Sequence, residues 1–238
     1  MDDMQDLILR IVIMAVPVII AITLHEAAHG FAALRLGDDT ALRLGRVSLN
    51  PLRHIDPYGT ILLPGFLLLV GSPFLFGYAK PVPVNFGRLN HPKQDMVWVA
   101  AAGPMMNVLL AIIAGLLAHF LVPLVPADFG VARDALILGL EVAVQVNLVL
   151  AVFNMIPIPP LDGGRVAVGL LPISLAVPLA RLERYGMLLV IGALILLPML
   201  GRQIGISLDP FRWIVNPIVE FLYNAILFFT GSGSILGR

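Results

Sequence analysis

Residues 7–33 read LILRIVIMAVPVIIAITLHEAAHGFAA, and this stretch decides what the rest of the chain must do. Apart from Arg10, Thr23 and the cluster His25, Glu26 and His29 it is apolar. As a helix rising 1.5 Å per residue it spans about 40 Å, enough to cross a hydrocarbon core of about 30 Å with some tilt. The stretch is therefore predicted to be a membrane helix with its polar cluster near the C-terminal end. Composition agrees: of 238 residues, 59% are hydrophobic and 13% charged, with a mean hydropathy of +0.95. Soluble domains carry about 45–50% apolar and about 25% charged residues, so a water-soluble globule is excluded and the apolar excess must face lipid. Lys+Arg and Asp+Glu are 15 each, so bulk charge draws no nucleic acid to the chain. There is no cysteine, which leaves His, Asp and Glu as the strong metal ligands. The first ten residues hold three Asp and one Arg, unlike the basic start of a secretory signal, so the first segment is expected to stay in place as a membrane helix.

Outward from this stretch, Met96–Val122 is a second span, opening on the small residues Ala100, Ala101, Ala102 and Gly103 that permit close helix packing. Ala135–Met155 is a third. An apolar segment at Val166–Ala180 and spans at Tyr185–Leu200 and Phe211–Thr230 follow. Between the first two spans, Leu42–Leu49 alternates polar and apolar residues like a strand. Lys80–Asn85 also looks strand-like, with two prolines that confine it to a sheet edge. Ile61–Phe76 is apolar but broken by Pro and Gly, and fits a re-entrant element as well as a span. The expected fold is a mainly α, polytopic membrane protein: a core of membrane helices, a small membrane-associated β element and additional C-terminal membrane helices. It is read as one domain over 1–238, with the core at about 7–165 and the tail helices at about 166–238. Seven Lys/Arg lie between the first and second spans, against Arg133 alone between the second and third. The positive-inside rule then turns the end of the first helix, and its polar cluster, to the cytoplasm.

His25-Glu26-Ala27-Ala28-His29 is an H-E-x-x-H pattern on a predicted helix. The i, i+4 spacing puts both imidazoles on one face, where they can share a zinc ion, with the carboxylate beside the metal's open position. Ionisable groups inside an apolar span are costly, which makes them functional candidates by default. Catalytic zinc takes three protein ligands. The candidates for the third are Asp162, Glu141, His54, Asp56, His91, Asp95 and Glu183. Asp162 follows the third span on a proline-stiffened turn ahead of Gly163-Gly164. If the third span returns inward, Asp162 reaches the membrane face of His25 and His29, whereas Glu141 lies nearer mid-span. Topology therefore favours Asp162, although in isolation it also reads as the N-cap of the segment that follows.

HEAAHG in a membrane helix, AAGPMMN at 101–107 and NMIPIPPLDGGR at 154–165 together resemble the site-2 protease family of intramembrane zinc metalloproteases. That family is marked by H-E-x-x-H and a downstream N-x-x-P-x-x-x-L-D-G. The resemblance runs from the first span to Arg165, and GRVSLNPLRHIDPYGT is similar to the compact prokaryotic branch, without a PDZ or CBS domain. It implies a core of three membrane helices, one zinc per chain held by His25, His29 and Asp162, Glu26 as the catalytic carboxylate, and transmembrane proteins in the lipid bilayer as substrates. The expected location is a prokaryotic cytoplasmic membrane. Asn107, Asn154 and His54 are candidates for oxyanion or substrate contacts. The competing reading is a membrane metal or proton transporter using the same His and carboxylates. The third span offers it only Glu141, Gln145 and Asn147, sparser than a permeation path needs.

Overall fold

The computed structural model describes residues 2–62, 65–66, 69 and 80–237. Most of the Ile61–Phe76 segment therefore lies outside the described residues. Helix α1 (Asp2–Arg35) carries the opening stretch, and a short α2 (Thr40–Arg43) follows it. Two long helices come next, α3 (Pro92–Leu121) and α4 (Gly130–Asn154). The chain then turns into α5 (Asp162–Leu170) and α6 (Ile173–Arg181), which replace the single apolar segment expected at Val166–Ala180. Helices α7 (Glu183–Ile191) and α8 (Leu197–Gln203) join through a wider π turn, and α9 (Asn216–Thr230) and α10 (Gly233–Leu236) complete the chain. Among the described residues five stretches are long and apolar enough to cross a membrane: Leu9–Arg35, Pro92–Leu124, Ala127–Asn154, Glu183–Gln203 and Phe211–Thr230. The protein is thus a mainly α, polytopic membrane protein.

Helices α1, α3 and α4 pack on one another, with α3 in the middle and α5 laid against its N-terminal half. The inward face of α3 runs Ala100, Gly103, Asn107, Ala111, Ala114 and Ala118, all buried and spaced three or four apart. That is the stripe of a packed helix. Its small side chains let neighbouring backbones approach closely, as helix contacts in lipid require. Farther along, Ala111, Ala114 and Ala118 meet Val144 and Leu148 of α4 and Ile226 and Leu227 of α9. The tail is thereby folded back onto the core. The opposite faces are exposed and apolar, for example Ile11, Val16 and Ile20 on α1 and Leu109, Ile113 and Phe120 on α3, as lipid contact demands.

The expected β element does not form: among the described residues there is no strand. Residues Thr40–Arg43 are helical and Leu44–Gly45 turn, so the alternation at Leu42–Leu49 is that of a turn of helix and a bent chain. Lys80–Asn85 forms no regular secondary structure, and Pro81 and Pro83 lack the N–H groups a ladder needs. It lies alongside Val47 over Gly30 of α1, where a side chain would reach Val82 at 3.2 Å and Val47 at 3.4 Å.

Candidate metal centre

Helix α1 supplies two imidazoles from successive turns, and the first turn of α5 brings a carboxylate to them. His25 Nε2 and His29 Nε2 are 3.1 Å apart. Asp162 Oδ2 lies 3.2 Å from the first and 3.3 Å from the second, and all three residues are buried. Asp162 is not the cap of its helix, since Leu161 occupies that position and no side-chain cap bond forms. Its oxygen turns to the histidines instead. The close fold of the Met155–Asp162 turn depends on Gly163 and Gly164: a side chain on the first would strike the Met155 carbonyl, and one on the second the Pro159 backbone.

The polar contacts behind the ring nitrogens select the tautomer of each neutral ring. His29 Nδ1 lies 2.7 Å from the Val99 carbonyl, which can only accept, so this nitrogen donates. Asn107, fully buried on α3, lies 2.5 Å from His25 Nδ1 through its Oδ1. Its amide nitrogen is spent on the Ala21 carbonyl at 3.3 Å and on Asn147 Oδ1 at 2.8 Å. Asn147 in turn donates to the Ala143 carbonyl at 2.8 Å, which fixes which of its ends faces Asn107. With Nδ1 donating, a neutral imidazole at either position turns its Nε2 lone pair toward Asp162. In that tautomer the three converging atoms are all acceptors, and the buried Asp162 Oδ2 has no other hydrogen-bond partner. Three acceptors at such spacing repel one another unless a cation lies between them.

Zinc fits this cage. Donors about 2.0–2.2 Å from a tetrahedral zinc stand about 3.3–3.6 Å apart, and the spacing here is 3.1–3.3 Å. Nitrogen donors and a carboxylate suit zinc, and histidine ligands held from behind by Nδ1–H bonds are the usual support for such a site. Gly103 keeps the space clear on the α3 side, because a Cβ there would lie against His29 Nε2 and within 2.7 Å of His25 Nε2. Glu26, between the two histidines, is tied through Oε2 to the Val82 amide at 2.8 Å.

Among the described residues His25, His29 and Asp162 are the one group of three or more such side chains close enough to hold a metal. The other carboxylates and imidazoles weighed from the sequence lie elsewhere. Glu141 accepts from Gln145, Asp95 accepts from the His91 amide just ahead of α3, Glu183 pairs with Arg165, and Asp56 caps the Tyr58 and Gly59 amides. Asn107 is brought to the site as the partner of His25, with every polar group of its amide engaged. Asn154 turns back to the Leu150 carbonyl at 3.0 Å, and the buried His54 donates to the Ser48 carbonyl at 2.8 Å. Asn147, Val99 and Gly103 are parts of the site that the sequence reading missed. Asn147 left a signal as a polar residue inside an apolar span, and Gly103 as the end of the small-residue run that opens the second span.

Fold and site together define a polytopic membrane protein with a buried cluster of two histidines and one carboxylate spaced so that it could hold a metal ion. Residues 120–198 match the family model described as peptidase family M50. A Bacillus subtilis protein named "Putative zinc metalloprotease YwhC" is 36% identical over 217 residues, covering 87% of this chain and 94% of its own length. Proteins named "Putative zinc metalloprotease Rip2" are 29% identical in Mycolicibacterium smegmatis, over 77% of this chain and 66% of theirs, and 31% identical in Mycobacterium tuberculosis, over 61% and 52%. No solved structure matches the chain. The chain belongs to peptidase family M50, the site-2 protease family of metalloproteases, whose metal is zinc.

Proposed function

We propose that this protein is an intramembrane zinc endopeptidase that hydrolyses peptide bonds within or near transmembrane segments of membrane proteins, with His25, His29 and Asp162 as zinc ligands and Glu26 as the catalytic carboxylate. The observation that carries this reading is the meeting of three potential metal-donor atoms at 3.1–3.3 Å, beside a carboxylate, on helices long and apolar enough to cross a membrane. When bound there, zinc supplies Lewis-acid polarisation of the scissile carbonyl and activation of water. Glu26 accepts a proton from the attacking water as the new C–O bond forms, and returns it to the amide nitrogen as the C–N bond breaks. Asn107 and the Val99 carbonyl hold the imidazoles in the tautomer that leaves each Nε2 free. The apolar walls of α1, α3 and α4 keep bulk water from the cage. The whole chain, 1–238, serves as one protease domain, in a prokaryotic cytoplasmic membrane with the cage toward the cytoplasm, as the Lys/Arg distribution supports.

The test uses the purified full-length protein in detergent with a single-span substrate. Wild type and Glu26→Gln are expected to hold about one zinc per chain, with cleavage by the wild type alone. Equal cleavage by Glu26→Gln would remove Glu26 from the chemistry. Full zinc retention by Asp162→Ala would remove Asp162 from the ligand set.

A further inference from the structure

The segment Lys80–Asn85 has no ladder to hold it, yet it is fastened at four points. The Lys80 amide donates to the His54 carbonyl at 2.9 Å. Arg46 Nη2 donates to the Lys80 carbonyl at 2.6 Å and reaches the Pro81 carbonyl at 3.4 Å. The Asn85 amide donates to Asp38 Oδ2 at 2.6 Å. Between these ends the Val82 amide donates to Glu26 Oε2 at 2.8 Å. Proline has no N–H, so in Pro81-Val82-Pro83 the Val82 amide is the single donor, and it is aimed at Glu26. Gly30, one turn after Glu26 on the same face of α1, has no side chain to hold the segment away.

We propose that Val82 is a positioning residue, its backbone N–H fixing the Glu26 carboxylate beside the metal, and that Arg46 and Asp38 are the anchors that set the Lys80–Asn85 segment for this bond. The proposal rests on the reading of Glu26 as the catalytic carboxylate, and it explains the otherwise odd Pro-Val-Pro triplet. Flanking prolines stiffen the backbone and leave one amide with one acceptor, so the carboxylate is held in one orientation before substrate arrives. A carboxylate that must take a proton and return it gains from such preorganisation, because misplacing a reacting group by about 1 Å can cost about 100-fold in rate.

Two experiments on the full-length protein in detergent test this. Hydrogen exchange followed by peptide mass spectrometry reads the Val82 amide without regard to activity, since residues 81–83 contain no other exchangeable amide. The amide is expected to be protected in the wild type and to exchange at least about tenfold faster in Glu26→Ala. Unchanged exchange in Glu26→Ala overturns the proposal. In cleavage of a single-span substrate, Val82→Pro removes the N–H while keeping an apolar side chain. It is expected to lower kcat by about 10–100-fold with KM and zinc content unchanged. Val82→Ala keeps the N–H and recovers most of that loss, and Arg46→Lys recovers most of what Arg46→Ala loses. Equal kcat for Val82→Pro and Val82→Ala also overturns it. A wild type that cleaves nothing, but shows the Glu26-dependent exchange, overturns the endopeptidase reading alone and leaves the bond between Val82 and Glu26 standing.

Discussion

His25 and Asn107, 82 positions apart in the chain, meet at 2.5 Å, with the imidazole Nδ1–H donating to the amide oxygen. This contact joins α1 to α3 and fixes the ring whose other nitrogen faces Asp162. Because the Asn107 amide nitrogen is held by Asn147 and the Ala21 carbonyl, the oxygen cannot turn away. Truncation by Asn107→Ala leaves the His25 N–H and Asn147 Oδ1 buried without these partners. Zinc affinity is expected to fall about 10–100-fold, as it does when outer hydrogen bonds to metal-bound histidines are removed. Competition with a chelator of known affinity measures it, and an unchanged affinity would show that the contact does not orient the ring.

Gly103 gives a steric test of the same cage. Any Cβ at this position meets both imidazoles, so Gly103→Ala should expel the metal as well as strain the α1–α3 contact, by about 1–3 kcal/mol. Gly139 on α4 is the control, since its added Cβ would meet only Ile13 at an ordinary 3.6 Å. Zinc content and thermal midpoint are expected to drop together in Gly103→Ala and to stay near wild type in Gly139→Ala. A zinc-replete Gly103→Ala protein would mean that the imidazoles are free to rearrange.

Removing the metal should loosen the bundle, because the cage joins α1 to α5 through acceptors that otherwise repel. A ligand present at a thousand times its Kd stabilises the folded form by about 4 kcal/mol. Stripping zinc with a chelator is therefore expected to lower the thermal midpoint of the wild type by several degrees. Asp162→Ala, already without a full ligand set, should respond little. Equal sensitivity of the two proteins would show that the stabilising metal binds elsewhere.

The helices and the three converging side chains were legible in the sequence because each has a signature in residue order. Apolar runs longer than a bilayer needs mark the spans, the i, i+4 histidines mark the metal face, and a carboxylate on a stiff turn completes it. The fastening of the connecting segment was not legible, since it depends on which backbone group reaches which side chain. Alternation at Leu42–Leu49 and the strand-like Lys80–Asn85 suggest a β element, yet neither stretch forms a ladder among the described residues. The prolines that weakened the strand are the same residues that leave the Val82 amide alone before Glu26. Asn147 and Val99 act through contacts with no sequence spacing, and only packing of α3 between α1 and α4 brings them to the histidines.

Asp38, at the foot of α1 and fully buried, carries the last prediction. Burial pushes its carboxyl up, but hydrogen bonds from the Thr40 hydroxyl and from the Asn85 and Thr40 amides, with the nearby Arg88, hold it below the ordinary 3.8. A carboxyl with a lowered folded pKa adds stability that is complete above the unfolded value and is lost as pH falls through the folded one. Asp38→Asn keeps the shape but turns a donor toward the Asn85 amide, a change expected to cost about 1–3 kcal/mol at neutral pH. The thermal midpoint of Asp38→Asn should therefore lie below that of the wild type by a constant margin above about pH 5. The margin should narrow once the pH drops below 3.8, as the wild-type carboxyl itself takes a proton. Thermal melts followed by tryptophan fluorescence across this range read the difference directly. A margin that stays the same down to pH 2 would show that the charge of Asp38 adds nothing to the hold on Asn85.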